Sequence, residues 1–150
     1  MEKDNVGIAA IQEIWWRGNG ILRSDNYTIL YSAGARGAVG GTGFLVANKY
    51  KAAVLNFKPV NDRPSFSKYI SCFFNITFVC VYAPMEGDDD DMKDAFHGSL
   101  EQELGEGILR QDVKIVLGDF NVTVGREEAF RETVGKESLH DVLNDNGQIY

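Results

Sequence analysis

A chain of 150 residues, 44% hydrophobic and 25% charged, has the composition of one globular domain with enough residues to bury a core. Its formal net charge of -7 argues against binding nucleic acid by bulk attraction, because phosphate contacts normally come from Lys and Arg. A carboxylate metal site is itself acidic, so a metal-dependent enzyme is not excluded.

No apolar run is long enough for a membrane helix. Met1-Glu-Lys-Asp leads straight into a strand-like run, without the pattern of a secretory signal. Cys72 and Cys80 are the only two thiols, and they suit strand positions in a reducing compartment. The expectation is an intracellular monomer, nuclear or cytoplasmic, with no membrane contact. On that footing the Asn-x-Thr triplets at Asn26, Asn75 and Asn121 are chance matches rather than glycan acceptors.

The first predicted element is a strand over Val6–Ile11, with Gln12-Glu13 at its far end, followed by Trp15 and Trp16. Glu13 reads in two ways. It is a strand residue leaving the core for solvent, or a carboxylate ligand for a hard cation. Gly18-Asn-Gly20 makes a loop, and Tyr27–Tyr31 a short strand. The glycine-rich run Gly34–Gly43 lacks the Gly-Lys-Ser/Thr ending of a phosphate-binding loop and no helix pattern follows it. It reads as a hairpin loop.

Phe44–Ala47 and Ala52–Phe57 read as strands, and Asn61-Asp-Arg-Pro64 as a turn in which Arg63 is a surface charge or a phosphate contact. Tyr69–Asn75 and Thr77–Ala83 read as a hairpin. The run Phe78-Val-Cys-Val-Tyr82 is nearly continuous in apolar residues, the mark of a strand covered on both faces. Pro84 cannot extend a central strand, so Tyr82 falls at a strand end. Its hydroxyl reaches water or orients a phosphate.

Glu86, Asp88–Asp91 and Asp94 precede or open a helix over Met92–Leu104. Phe96, Leu100 and Leu104 recur along one face of it. Acids at a helix start complement its positive end, whereas a calcium loop needs alternating ligands and a closing Glu that this segment lacks. Val113–Leu117 reads as a buried strand leading into Gly118-Asp-Phe-Asn121. That tetrapeptide is either a plain turn or a means of delivering Asp119 and Asn121 to the mouth of a sheet. Arg126–Val142 reads as helical, interrupted at Gly135, and Asp145-Asn-Gly147 as a turn. His97 and His140 receive no role.

Three strand ends thus offer Glu13, Tyr82, and Asp119 with Asn121, a set suited to phosphodiester hydrolysis. Glu13 would hold Mg2+, with Mn2+ as a substitute, and Asp119 and Asn121 would complete the metal ligands. Asp119 would also orient and deprotonate the attacking water. Asn121 and Tyr82 would donate hydrogen bonds to phosphate oxygens without ionising.

Gln12-Glu13, Tyr82-Ala-Pro84 and Gly118-Asp-Phe-Asn121, in this order, resemble the endonuclease/exonuclease/phosphatase superfamily. The closer resemblance is to the AP-endonuclease-like domain of RTE-type non-LTR retrotransposons. Gly41-Thr-Gly-Phe, Asn61-Asp-Arg, Gly125-Arg-Glu-Glu-Ala-Phe-Arg and Asn144-Asp-Asn-Gly extend the likeness to the craniofacial development protein 2-like group. The resemblance covers essentially the whole of residues 1–150. It implies an α+β fold, a four-layer α/β/β/α sandwich of two mainly antiparallel sheets of the DNase I-like kind. It also implies Mg2+-dependent cleavage with DNA as substrate.

Two family features have no match here: an opening strand with a Trp-Asn pair, and a closing Asp-His pair whose His acts in catalysis. The domain is therefore expected to be truncated, the missing His is expected to favour loss of activity in this chain, and only Glu13, Tyr82, Asp119 and Asn121 are carried over. Two alternatives follow. One is a catalytically dead domesticated domain that binds a protein. The other is a phosphatase of the same superfamily acting on inositol phosphates or lipid head groups.

Overall fold

The computed structural model describes residues 6–34, 40–60, 65–70, 75–107, 111–126 and 140–144. Strands β1 (Ile8–Gln12), β2 (Asn19–Arg23), β3 (Tyr27–Ser32) and β4 (Thr42–Ala47) form one antiparallel sheet in the order β1-β4-β3-β2. A 3-10 helix, Asn48–Ala53, leads into β5 (Val54–Pro59), β6 (Ser65–Ile70) and β7 (Asn75–Tyr82). Helix α1 (Asp90–Gln102), a π turn (Glu103–Gly107) and β8 (Val113–Asp119) follow. The second sheet runs β5-β6-β7-β8, antiparallel except for the parallel β7–β8 pair. A parallel neighbour needs a crossover connection, and α1 supplies it.

The core is organised by the alternation of β7. Side chains of a strand point to opposite faces at successive residues. Val79 and Val81 accordingly pack with Phe96 and Leu100 of α1, joined by Val116 and Phe120. Cys80 and Phe78 turn the other way, onto Leu30, Phe44 and Val46 of the first sheet, with Ile8 and Ala10 beside them. The nearly continuous apolar run of β7 is the consequence: it is covered on both faces, and Val79, Cys80 and Val81 are fully buried. Helix, second sheet and first sheet make three layers among the described residues, and the α+β class expected from the sequence holds.

Helix α1 starts as its acids require. The Asp89 carboxylate accepts a hydrogen bond from the Asp91 amide at 2.9 Å, a cap worth about 1 kcal/mol. Phe96 and Leu100 are its buried residues. Burial pulls the His97 pKa below its ordinary value against the opposing pull of Asp94 and Glu101. The unfolded chain then binds the extra proton first, so this histidine's contribution to stability is present above its unfolded pKa and is lost as the pH falls through the folded one. No helix among the described residues is long and apolar enough to cross a membrane.

Several sequence expectations are corrected. Asn19 and Gly20 belong to strand β2, not to a loop, because Asn19–Arg23 pairs with β3 from Ser32 to Thr28. Thr42 and Gly43 belong to β4, where they pair with Gln12 and Ile11. Ala52 and Ala53 close the 3-10 helix, and β5 starts only at Val54. The hairpin arm expected over Tyr69–Asn75 lies earlier, at Ser65–Ile70. Strand β8 is not buried throughout. Among the described residues it borders β7 alone, and Val113 stays 43% exposed. Arg63, Cys72, the Asp145 turn and most of the helix expected over Arg126–Val142 lie outside the described residues. His140 is exposed.

Candidate functional site

The site lies where β1, β7 and β8 end together. The inward-facing residues of β7 continue the alternation, so Tyr82 points the same way as Cys80, toward the first sheet. The Tyr82 hydroxyl donates to Glu13 Oε1 at 3.1 Å, across the sandwich. One residue before Glu13 and two before Tyr82, Gln12 Nε2 donates to Cys80 Sγ at 3.3 Å, and Sγ lies 3.5 Å from the Ile11 carbonyl oxygen. These contacts fasten the exit of β1 to the exit of β7. Burial pushes the Cys80 thiol pKa up, against hydrogen bonding with Gln12, Gly43 and Ile11 that acts the other way. A thiol held neutral is a poor nucleophile, so Cys80 serves as packing.

Asp119 arrives through the parallel ladder, in which it is the partner of Tyr82. Paired residues of a sheet share a face, so the Asp119 and Tyr82 side chains leave the sheet on the same face. The Asp119 carbonyl accepts from the Ala83 amide at 2.8 Å. Its side-chain Oδ1 accepts from the Asn121 amide at 2.9 Å, the short-range turn that Asp favours. Asn121 adopts a left-handed backbone, φ 49°, and its Nδ2 donates to the Ala83 carbonyl at 2.6 Å. Tyr82 is thus linked to Glu13 by a side-chain hydrogen bond and to Asp119 by the ladder, and Asp119 to Asn121 by the turn. Both carboxylates are solvent-exposed.

Two residues quoted in the sequence motifs, but given no role there, support the site. Asn144 Nδ2 donates to the Asn121 carbonyl at 3.1 Å, and Asn144 Oδ1 accepts from the Thr123 amide at 2.9 Å. This side chain ties the segment after Asp119 to a stretch more than twenty residues later. Gln12 is the other, through Cys80. Neither contact has a local signal, because both partners are distant in the chain.

The loop leaving β1 is held in an uncommon conformation. Glu13 and Trp15 both have left-handed backbones, φ 52° and 58°. The Ile14 and Trp15 amides donate to the carbonyls of Gly41 and Gly40 at 3.3 and 3.1 Å. The end of the glycine-rich run thus contributes backbone acceptors to this loop. Residues 35–39 of that run lie outside the described ones.

Among the described residues no group of three or more His, Cys, Asp or Glu side chains is gathered to hold a metal. Two carboxylates and an amide at one end of the sandwich are a sparse set of hard oxygen donors. Mg2+ suits such a set, since it usually takes one or two carboxylates and keeps several waters.

No protein-family profile matches the chain. The chain is similar to craniofacial development protein 2. The likeness to the protein of that name from Bos taurus is 31% identity over 128 residues, 85% of this chain. The protein from Tragulus javanicus gives 30% over 128 residues. The matched part is 22% of the length of either relative, so the chain spans about a fifth of them.

Proposed function

We propose that this chain is an endonuclease-type domain of the endonuclease/exonuclease/phosphatase superfamily, derived from a retrotransposon, that hydrolyses phosphodiester bonds in DNA with the help of Mg2+. The observation that carries the reading is the Tyr82–Glu13 hydrogen bond at the end of the sandwich where Asp119 is the ladder partner of Tyr82. The ordered motifs and the two-sheet sandwich with α1 outside it support the superfamily assignment.

Each side chain has a task that its surroundings suit. Glu13, Asp119 and Asn121 would hold the cation, which when bound polarises a phosphoryl oxygen and offsets developing charge. The Asn121 amide engages Asp119 Oδ1 and so fixes the carboxylate plane, which leaves Oδ2 to take the proton of the attacking water. Tyr82, whose hydroxyl rests on Glu13, would donate to a phosphate oxygen once that bond is released. Asn144 holds the turn that carries Asn121. Because both carboxylates are exposed, a substrate as large as a nucleic-acid strand can reach them.

The test is conversion of supercoiled plasmid to the nicked form by the purified protein. Nicking is expected with Mg2+ and absent with excess chelator; intact plasmid under all divalent ion conditions would overturn the reading. Release of phosphate from inositol phosphates, with plasmid untouched, would establish the phosphatase alternative instead. Calorimetric titration with Mg2+ is expected to give heat for the parent protein and none for Glu13→Ala. Identical heats would remove Glu13 from the metal ligands.

A further inference from the structure

We propose that Trp15 is the base-stacking contact of a nucleic-acid substrate, and that the preferred strand carries an unpaired base next to the scissile phosphate. This rests on the hydrolase reading of the same site and names its substrate more narrowly.

Trp15 and Trp16 are 54% and 41% exposed, unusual for the largest apolar side chain, which is highly buried on average. Trp16 has a structural explanation: its ring meets Tyr31 edge-on, with centroids 5.1 Å apart and planes at 89°. Trp15 has no such partner, and no ring contact to it is made among the described residues. Its exposure is not a sign of a slack loop. The left-handed backbone at Trp15, φ 58°, is one that a bulky residue rarely adopts. It is held by the hydrogen bond from the Trp15 amide to the Gly40 carbonyl at 3.1 Å, beside that from Ile14 to Gly41 at 3.3 Å. Farther along the loop, the Ala33 amide donates to the Gly18 carbonyl at 2.8 Å. Strain sustained by its surroundings points to a function for the residue so held.

Position supplies the ligand. Trp15 is two residues beyond Glu13, at most about 7 Å of backbone. A group stacked on its ring therefore lies close to the cation that Glu13 would help to hold, and so to the phosphate that this cation would engage. Arg17, exposed in the same loop, adds a local positive charge to a chain whose net charge is -7. An aromatic face beside a cation is how proteins grip unpaired nucleotides, because every base offers a π-face. Paired bases are already stacked on one another, and an inositol ring has no π-face. Trp15 therefore distinguishes a nucleic acid with an exposed base from both.

The chain's two tryptophans are neighbours, so tryptophan emission, excited selectively over tyrosine, reports on this loop alone. The protein, in chelator to prevent cleavage, is titrated with a fluorescently labelled twelve-nucleotide thymidine oligomer and with the corresponding blunt duplex. Expected are quenching by the single strand exceeding that by the duplex, and binding weakened about 5- to 150-fold in Trp15→Ala, the range for losing one stacked base. Trp15→Phe, which keeps an aromatic face, should bind nearly as the parent does and guards against a folding defect. Equal affinity of Trp15→Ala and parent, or no preference for the single strand, overturns the inference even if plasmid nicking is observed. Trp15-dependent binding without nicking in Mg2+ retires the hydrolase reading while keeping the stacking contact. Failure of every oligonucleotide to bind, with a protein captured through Trp15, overturns the nucleic-acid assignment.

Discussion

Asp119→Ala is expected to abolish plasmid nicking, with a rate loss of about 10²–10⁴, the usual contribution of a positioned general base. The effect should exceed that of any other single change at the site, because Asp119 is asked both to hold the cation and to accept a proton. Alanine also removes the Oδ1 that receives the Asn121 amide at 2.9 Å, so part of the loss would come from a loosened turn. Asp119→Asn separates the two. Its amide oxygen can still accept from Asn121, but it cannot act as a base at neutral pH. If proton transfer is the role, Asp119→Asn is as inactive as Asp119→Ala while its urea midpoint equals that of the parent. Undiminished nicking by Asp119→Asn would remove Asp119 as the base.

Gly118→Ala is expected to destabilise the fold by about 3 kcal/mol or more, on the scale of strain plus overpacking. Gly118 has φ 151°, a backbone that L side chains rarely adopt. A Cβ there would run into the Val81 carbonyl oxygen, 2.8 Å from the carbonyl carbon and 2.9 Å from Val81 Cγ2. Val81 is fully buried between β8 and α1, so neither strand can yield cheaply. Total stabilities of domains are only about 5–15 kcal/mol, which makes this loss large enough to leave much of the protein unfolded. Urea denaturation followed by far-UV circular dichroism measures it. A change below about 1 kcal/mol would show that β8 can shift away from β7. Nicking should fall in parallel, since Gly118 also sets the approach of Asp119 to Tyr82.

How far the sequence could be read depended on how local each signal was. Phe78–Tyr82 announced a strand covered on both faces because continuous apolar residues have that one economical explanation. Phe96 and Leu100 announced a helix face, and the acids Asp88–Asp91 its approach, since periodicity and capping act within a turn or two, although the helix starts at Asp90 rather than at Met92. Strand β2 was hidden because Asn19 and Gly20 favour loops on their own, and only pairing with β3 overrides that preference. Ala52 and Ala53 suited a strand or a helix equally. The exposure of β8 was hidden because an apolar run does not say how many neighbours its strand has.

The same division runs through the candidate site. Residue types and order, from Gln12-Glu13 through Tyr82-Ala-Pro84 to Gly118-Asp-Phe-Asn121, were determined by the sequence alone, as was the placing of each at a strand end. That Tyr82 bonds Glu13, that Asn144 secures Asn121, and that Gly40 and Gly41 hold Trp15 in a left-handed backbone were decided by the tertiary structure. Side-chain alternation and turn chemistry are short-range and leave a trace in neighbouring residues. Contacts between residues dozens of positions apart depend on how two sheets pack, and the chain carries no local record of that.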